Sequence, residues 1–449
     1  MKIKKVKWNN HPILGNLELD FMNSATGEPF DTVLIAGENG TGKTTILETM
    51  STFLNIGSFE YFDYLEYIVD GAVYKATPLN DASNIKDFFS ILDNSGTATT
   101  VRANRNNNRN QINTNKKDPR YHGCVFSKAR ADYKTQEIQT TTTKALDIDK
   151  YDNDKEDDFT SLKQLIVDID NQDNSEYAET NKGLGKVPKS WDEFYKTSKI
   201  SRFKNAFDGF FGNIEYERVT NVSQEKLILF KKNGKSIPID KLSTGEKQIV
   251  FRGTYLLKNS GKLDGAAIMV DEPELSMHPK WQKKILQYYK QLFTKGTTQA
   301  AQLFIATHSE YVLEDALSNK NANLVIVLND VAGVIQAKRI DAPSVLPSIT
   351  SAETNYLAFD IVSNDYHIEL YGYLQYKHGL TTVKLCDDYI KAQPAYNAAI
   401  HNKPSNFGRT TYDTLCTYIR NLIDHPDPTR NFTDAELRTS TELLIELCR

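Results

Sequence analysis

Apolar and polar positions follow one rhythm up to about residue 343 and another beyond it. At the start, "IKKVKW" and "LELDF" predict a strand pair, and "DTVLIAG" (31–37) predicts an apolar strand ending in glycine. "KTTILETMSTFL" (43–54) then takes up helical spacing. "EYIVDGAVYKAT" (66–77) predicts a hairpin turning at Asp70 and Gly71. "GCVFSKARADY" (123–133) predicts a buried strand running into a loop, and "WDEFYKTSKISRFKNAFDGFF" (191–211) one amphipathic helix. "KLILF", the turn "KKNGK" and "SIPI" predict a second strand pair. From Leu242 onward a helix ("STGEKQIVFRGTYLLK"), a strand ("GAAIMVDEPE"), a helix opened by proline ("PKWQKKILQYYKQLF"), a strand ("QLFIATHS"), a helix ("EYVLEDAL") and a strand ("NLVIVLND") alternate. That alternation predicts an α/β fold with a parallel sheet. Residues 353–449 take mostly helical spacing, with tyrosines at 371, 373, 376, 389, 396, 412 and 418, and predict a separate helical region.

Composition narrows little. The chain has 449 residues, 39% apolar and 25% charged, with a net charge of −4, which suits two or three folded domains. A dedicated nucleic-acid binder is more often basic. No apolar run approaches the roughly 18 residues that span a bilayer. The start, "MKIKKVKWNNHPILG", is basic but has no long apolar core of a signal peptide, so a cytoplasmic protein without membrane contact is expected. Cys124, Cys386, Cys416 and Cys448 are scattered without a CxxC pair, which predicts inert thiols rather than a metal site. Residues 102–120 are basic and Asn-rich, and residues 147–158 are acidic; both are expected as exposed loops. The basic run, with Arg102, Arg105 and Arg109, has contact with a phosphate backbone as its alternative.

Four short motifs carry chemistry. Gly37, Glu38, Asn39, Gly40, Thr41, Gly42, Lys43 and Thr44 fit GxxxxGK[ST], between a strand and a helix that continues through Thr45. In such a loop backbone N–H groups cradle phosphate oxygens, the lysine reaches the β- and γ-phosphates, and the threonine ligates Mg²⁺. "AAIMVDEPE" puts Asp271 at the end of a buried strand, where it would hold Mg²⁺, and Glu272 next to it as general base. "LSTGEKQ" (242–248) offers Ser243, Gly245 and Glu246 at a helix start, a second anion site. "FIATHSE" puts His308 after the next apolar strand, as a γ-phosphate contact.

Together these elements resemble the ABC-type ATPase heads, in the same order: P-loop, signature ("LSTGE" for LSGGQ), Asp-Glu strand, a D-loop-like "PELSMHP" (273–279) and a switch histidine. The resemblance covers roughly residues 1–340. It implies a P-loop NTPase head over residues 1–345, with a mostly parallel sheet, antiparallel N-terminal strands and an insertion at about 80–225. Residues 346–449 would be a helical, partner-binding region. In that family two heads sandwich two ATP, so Ser243, Gly245 and Glu246 would act in trans within a homodimer or larger assembly. Gln136 and Gln139 are the candidates for the family's Mg²⁺-contacting Q-loop glutamine.

About two hundred residues separate Thr44 from Leu242, long for a transporter head and short of the heptad-bearing arms of repair proteins. "LSTGEKQ" with "DEPELSMHP" is similar to the soluble bacterial ATPases of phage defence, most like Septu ATPase subunits, with PARIS ATPase subunits as the near alternative. "LVIVLND" and "LCDD" do not have Toprim spacing, and "DHPDPTRN" (424–431) has no second histidine for an HNH nuclease. A separate nuclease subunit, HNH-type by the Septu resemblance, is therefore expected, with DNA reached through the complex. Two alternatives stay open. "IRNLIDH" gives Arg420 and His425 the Rx4–6H spacing of HEPN ribonucleases, or simply a helix ending before Pro426. The head also suits a DNA-maintenance ATPase.

Overall fold

The computed structural model describes residues 1–79, 85–154, 159–182, 188–341 and 344–449. The chain divides into two units. The first holds Met1–Val312 and Asn321–Lys338, the second Leu313–Lys320 and Arg339–Arg449.

Along the first unit the chain forms β1 (Lys2–Trp8), β2 (Glu18–Asp20), β3 (Thr32–Gly37), α1 (Lys43–Leu54), β4 (Phe62–Val69), β5 (Ala72–Pro78), β6 (Phe89–Leu92) and β7 (Ala98–Val101). Next come α2 (Arg109–Thr114), β8 (Cys124–Ser127), β9 (Tyr151–Asn153), α3 (Thr160–Asn181), α4 (Trp191–Tyr195) and α5 (Ser201–Phe210). β10 (Ile214–Val222), β11 (Glu225–Lys232) and β12 (Lys235–Pro238) lead to α6 (Thr244–Leu257), β13 (Ala267–Asp271) and α7 (Pro279–Leu292). A two-residue ladder, β14 (Thr294–Lys295) and β15 (Thr298–Gln299), precedes β16 (Gln302–Ala306). α8 (Glu310–Ser318) begins in this unit and continues into the second, and β17 (Asn323–Val331) and β18 (Val334–Arg339) return to the first, with Arg339 already in the second.

Among the described residues, two large sheets organise this unit. One has the order β2-β1-β4-β5-β6-β7 and is antiparallel. The other has the order β18-β17-β3-β16-β13-β8-β9, with parallel pairing from β17 through β9. Every residue of β3, β8, β13 and β16 is buried, as a parallel sheet covered on both faces requires. α1 joins the two sheets. Its Ile46, Leu47, Met50 and Phe53 share one core with Val6, Trp8 and Leu65 of the antiparallel sheet and with Val33, Met269 and Phe304 of the parallel one. β10, β11 and β12 form a separate three-stranded meander. The fold is thus α/β with a mostly parallel sheet and antiparallel N-terminal strands, as expected for an ABC-type head.

Three local expectations need correction. Residues 191–211 form two helices, not one. Asp173 of α3 accepts from the amides of Lys199 (3.0 Å) and Ile200 (2.7 Å), so a carboxylate distant in sequence starts a new helix there. Residues 102–120 are not all exposed loop. Arg120 is fully buried, pairs with Asp118 at 2.9 Å, donates to the Ala103 carbonyl and lies 4.7 Å from the Phe89 ring centre. The acidic run 147–158 contains β9, which pairs in parallel with β8; its residues 155–158 lie outside the described residues.

The second unit carries α9 (Ser351–Phe359), α10 (Asn364–Lys377), α11 (Val383–Lys391), α12 (Ala398–His401), β19 (Asn402–Phe407), β20 (Thr410–Thr414), α13 (Leu415–Asp424) and α14 (Asp434–Cys448). Tyr366, Leu370, Tyr371 and Leu374 of α10 pack with Leu443, Leu444 and Ile445 of α14 and with Cys386, Cys416 and Cys448. Ser363, Thr382, Thr414 and Thr433 accept from the first turns of α10, α11, α13 and α14, which explains where these helices begin. The antiparallel pair β19–β20 interrupts the region expected to be mostly helical. No helix among the described residues is long and apolar enough to cross a membrane.

Candidate functional site

The three central strands of the parallel sheet end level with one another. Asp271 of β13 pairs with Ala306 of β16, and Ala306 pairs with Ile35 of β3. β16 therefore lies between the P-loop strand and the Asp-Glu strand, and the loops after all three converge at one edge.

Glycine is required at two points of the loop after β3. Gly37 has φ +142°, and a Cβ there would run into the Leu328 carbonyl of β17. At Gly42, φ +89°, a Cβ would meet the Leu14 side chain at 2.5 Å. The loop closes on itself: the Thr41 hydroxyl donates to the Glu38 carbonyl at 2.9 Å. The Lys43 ammonium donates to the carbonyls of Gly37 (2.9 Å) and Glu38 (2.8 Å). Burial lowers the Lys43 pKa, opposed by the carboxylates of Glu272, Asp271 and Glu274. Three carboxylates thus act on one lysine.

Thr44, in the first turn of α1, donates its hydroxyl to both carboxylate oxygens of Asp271, at 3.0 and 3.2 Å. These residues stand 227 positions apart in sequence. Asp271 is 4% exposed, and burial raises its pKa while the Thr44 hydrogen bond lowers it. Glu272 follows in the left-handed region, φ +43°, with its amide donating to the Ala306 carbonyl at 2.9 Å. Its carboxylate lies 3.1 Å from His308 Nε2. Burial, then the Lys43 charge, lower the His308 pKa, and Glu272 opposes them. The burial and the Lys43 charge thus favour the neutral imidazole over the imidazolium.

Glu274 was not anticipated as a site residue. Its Oε1 accepts from the Thr307 hydroxyl (2.7 Å), the His308 amide (2.7 Å) and the Ser309 amide (3.1 Å), while its buried Oε2 has no hydrogen-bond partner. Burial raises its pKa, and these donors pull it back. Glu274 ties the loop after β13 to the segment after β16. The signal available in the sequence was a third acid in "DEPE".

Ser243 and Glu246 open α6. The Ser243 amide donates to Glu246 Oε2 at 2.9 Å, and Lys232 pairs with Glu246 Oε1 at 2.7 Å. Gly245 lies so close to the Ser276 carbonyl that a Cβ would sit 2.8 Å from it. Gln136 and Gln139 are both exposed, and the Gln136 amide is bound to the Thr160 hydroxyl at 2.8 Å. Of the basic run, Arg105 donates to the Asn55 carbonyl at 2.9 Å and Arg109 pairs with Asp149 at 3.0 Å.

Residues 33–314, from β3 into α8, match the family model described as "AAA domain, putative AbiEii toxin, Type IV TA system". The chain belongs to this AAA-domain family. Among curated proteins this family member is similar to the Septu protein PtuA of Bacillus thuringiensis, 24% identical over 345 residues, which covers 71% of this chain and 74% of that protein. A shorter match is the Retron Vc95 probable ATPase of Vibrio cholerae serotype O1 biovar El Tor, 35% identical over 98 residues, 20% of this chain and 18% of that protein. The resemblance to phage-defence ATPases of the Septu kind is therefore upheld. Solved structures with some likeness include an SMC head bound to the C-terminal winged-helix domain of ScpA (14% identity, TM-score 0.41, covering 76% of this chain and 98% of that chain). Another is the SMC head domain from Thermotoga maritima (14% identity, TM-score 0.37, covering 76% and 100%).

In the second unit, Arg420 pairs with Asp424 at 2.7 Å and donates to the Asn421 side chain at 3.1 Å. His425 lies against the Phe407 ring at 4.8 Å between centres and lines a small cavity with Tyr418, Asn421 and Arg430. Arg420 is not among the residues lining it.

Proposed function

We propose that this AAA-domain protein binds ATP with Mg²⁺, hydrolyses it, and uses the nucleotide state to control a separate nuclease subunit in a bacterial anti-phage system. The observation that carries the ATPase reading is the meeting of Thr44 and Asp271. A hydroxyl from the helix after the P-loop and a carboxylate from another strand converge as hard oxygen donors, the kind Mg²⁺ takes. The glycine cradle, with no room for a Cβ at Gly37 or Gly42, suits close approach by phosphate oxygens. Mg²⁺ bound there would neutralise charge on the phosphates.

The chain's own residues account for the rest. The loop from Gly37 to Thr44, with Thr45 behind it, orients the phosphates through backbone N–H groups and the positive end of α1. Lys43 exchanges its carbonyl contacts for phosphate oxygens and holds positive charge where negative charge develops. Glu272 accepts a proton from the attacking water; the single N–H of neutral His308 fixes the carboxylate before nucleotide enters and turns to a γ-phosphate oxygen when it is bound. Ser243 and Gly245, at the start of α6, serve the nucleotide of a second copy, so two chains close on two ATP. Glu246 supports that turn rather than touching nucleotide, because Ser243 and Lys232 occupy its oxygens.

The similarity to a Septu protein supports a role in defence, in the cytoplasm. The mostly helical residues 346–449 are the surface assigned to an HNH-type partner. DNA would be met through that partner. The ribonuclease alternative loses support, because Arg420 is engaged with Asp424 and does not line the cavity beside His425. The test is co-purification with the product of the neighbouring gene, followed by nuclease assays with ATP, ADP and no nucleotide. Nuclease activity that ignores the nucleotide would overturn the regulatory reading.

A further inference from the structure

The loop carrying Asp271 and Glu272 is held from a side that hydrolysis does not use. Gln248 Nε2 donates to the Pro273 carbonyl at 2.7 Å, and Arg252 Nη1 donates to the Glu272 carbonyl at 3.3 Å. Arg252 Nη2 also donates to the Lys128 carbonyl, at the end of β8. Both side chains come from α6, four residues apart and so on one face of the helix. They are 0% and 2% exposed.

This arrangement is expensive for packing alone. Gln248 Oε1 is buried with no hydrogen-bond partner, and a buried acceptor left unmet pays its desolvation without return. An apolar side chain of similar size would avoid that cost. What the two donors gain is the conformation of Glu272. A glutamate at φ +43° is strained and persists only where its surroundings over-determine it. The constraints here are the amide of Glu272 on Ala306, its carbonyl on Arg252, and the next carbonyl on Gln248. Together they aim the carboxylate at His308.

The same helix begins at Ser243 and Gly245. Its first turn is the part that would meet the opposing copy's nucleotide; its second and third turns grip the base of this chain's own site. One rigid element joins the two.

We propose that Gln248 and Arg252 are positioning residues for Glu272, and that through them the seating of α6 on a second copy's nucleotide sets the general base of this chain's own site. The proposal rests on the reading of Glu272 as base and of Ser243 and Gly245 as acting in trans.

The experiment is a double-mutant cycle on the full-length chain. Gln248→Leu keeps the volume and removes both the donor and the unmet acceptor. The expected result is a drop of roughly tenfold in kcat, a KM for ATP within about twofold, and an unchanged or raised melting temperature. In the Glu272→Gln background, Gln248→Leu should leave the residual single-turnover rate unchanged, because the two residues act in series. Arg252→Met should repeat the pattern, and its melting curve separates lost folding from lost positioning. An unchanged kcat in Gln248→Leu, or the same fold loss in both backgrounds, overturns the proposal. A fully active Glu272→Gln single variant instead overturns the underlying base assignment, before Gln248 is touched.

Discussion

Two pairs of residues carry suggestive sequence contexts, one as the main reading and one as an alternative, and the folded chain treats them in opposite ways. Thr44 and Asp271, far apart in sequence, meet at 3.0 Å, with Lys43 and a Glu272–His308 pair close by. Arg420 and His425, five residues apart, do not combine: the guanidinium turns to Asp424 and the imidazole to Phe407. The first pair leaves marks of a site: buried charge, a strained backbone at Glu272, and pKa values shifted by burial and then by neighbouring groups. The second is what a helix C-terminus makes when its charges find local partners. A spacing becomes a site when separate elements must bring its members together.

That contrast can be broken in several ways. The largest expected effect is at Lys43. Lys43→Ala should cut ATP hydrolysis by about a hundredfold to a thousandfold and weaken nucleotide binding, read by phosphate release and by calorimetry. Next is Glu274, whose Oε1 collects three donors from residues 307–309. Glu274→Ala strands those donors and should cost about 1–3 kcal/mol in chemical denaturation, with kcat down roughly tenfold. Glu274→Gln keeps an accepting oxygen and should cost less on both measures.

A subtler difference lies in how the two regions respond to acid. His367 of the second unit is fully buried on Ser440 (2.8 Å), and burial lowers its pKa to about 3. An unfolded histidine titrates near 6.5, so between about 6.5 and about 3 protons bind the unfolded chain first and stability falls as pH falls. Melting curves from pH 7 to pH 4 should show this fall, and His367→Gln should flatten it. His308, whose pKa is also lowered but which is about one-third exposed, should contribute in the same direction and less. The smallest effect is expected at the other pair: Arg420→Ala and His425→Ala should leave ATP hydrolysis unchanged and alter no RNA cleavage. A ribonuclease activity lost in both variants would promote that pair to a site.

Much of this was legible in advance where pattern and local geometry coincide. β3, α1, β13, α7 and β16 fall where the apolar runs and the proline at Pro279 put them. The hairpin at Asp70 and Gly71 forms because both residues take φ above zero, +49° and +80°. What stayed hidden depends on partners distant in sequence. Asp173 splits the helix expected at 191–211, and β9 is a strand only because β8 offers an edge. At the site, the residue types foretold the P-loop, but no spacing rule signals that Glu274, Gln248 and Arg252 would hold the loop of Glu272 from two sides.

The central claim is that this edge of the sheet is half of an ATP clamp closed by a second copy. The direct measurement is the mass in solution of the Glu272→Gln variant, by light scattering, with Mg²⁺ and ATP, with ADP, and with neither. The account predicts a shift to a larger assembly with ATP alone, abolished when Ser243→Arg is added. A mass that does not change with ATP, in a variant shown by calorimetry to bind it, would contradict the clamp.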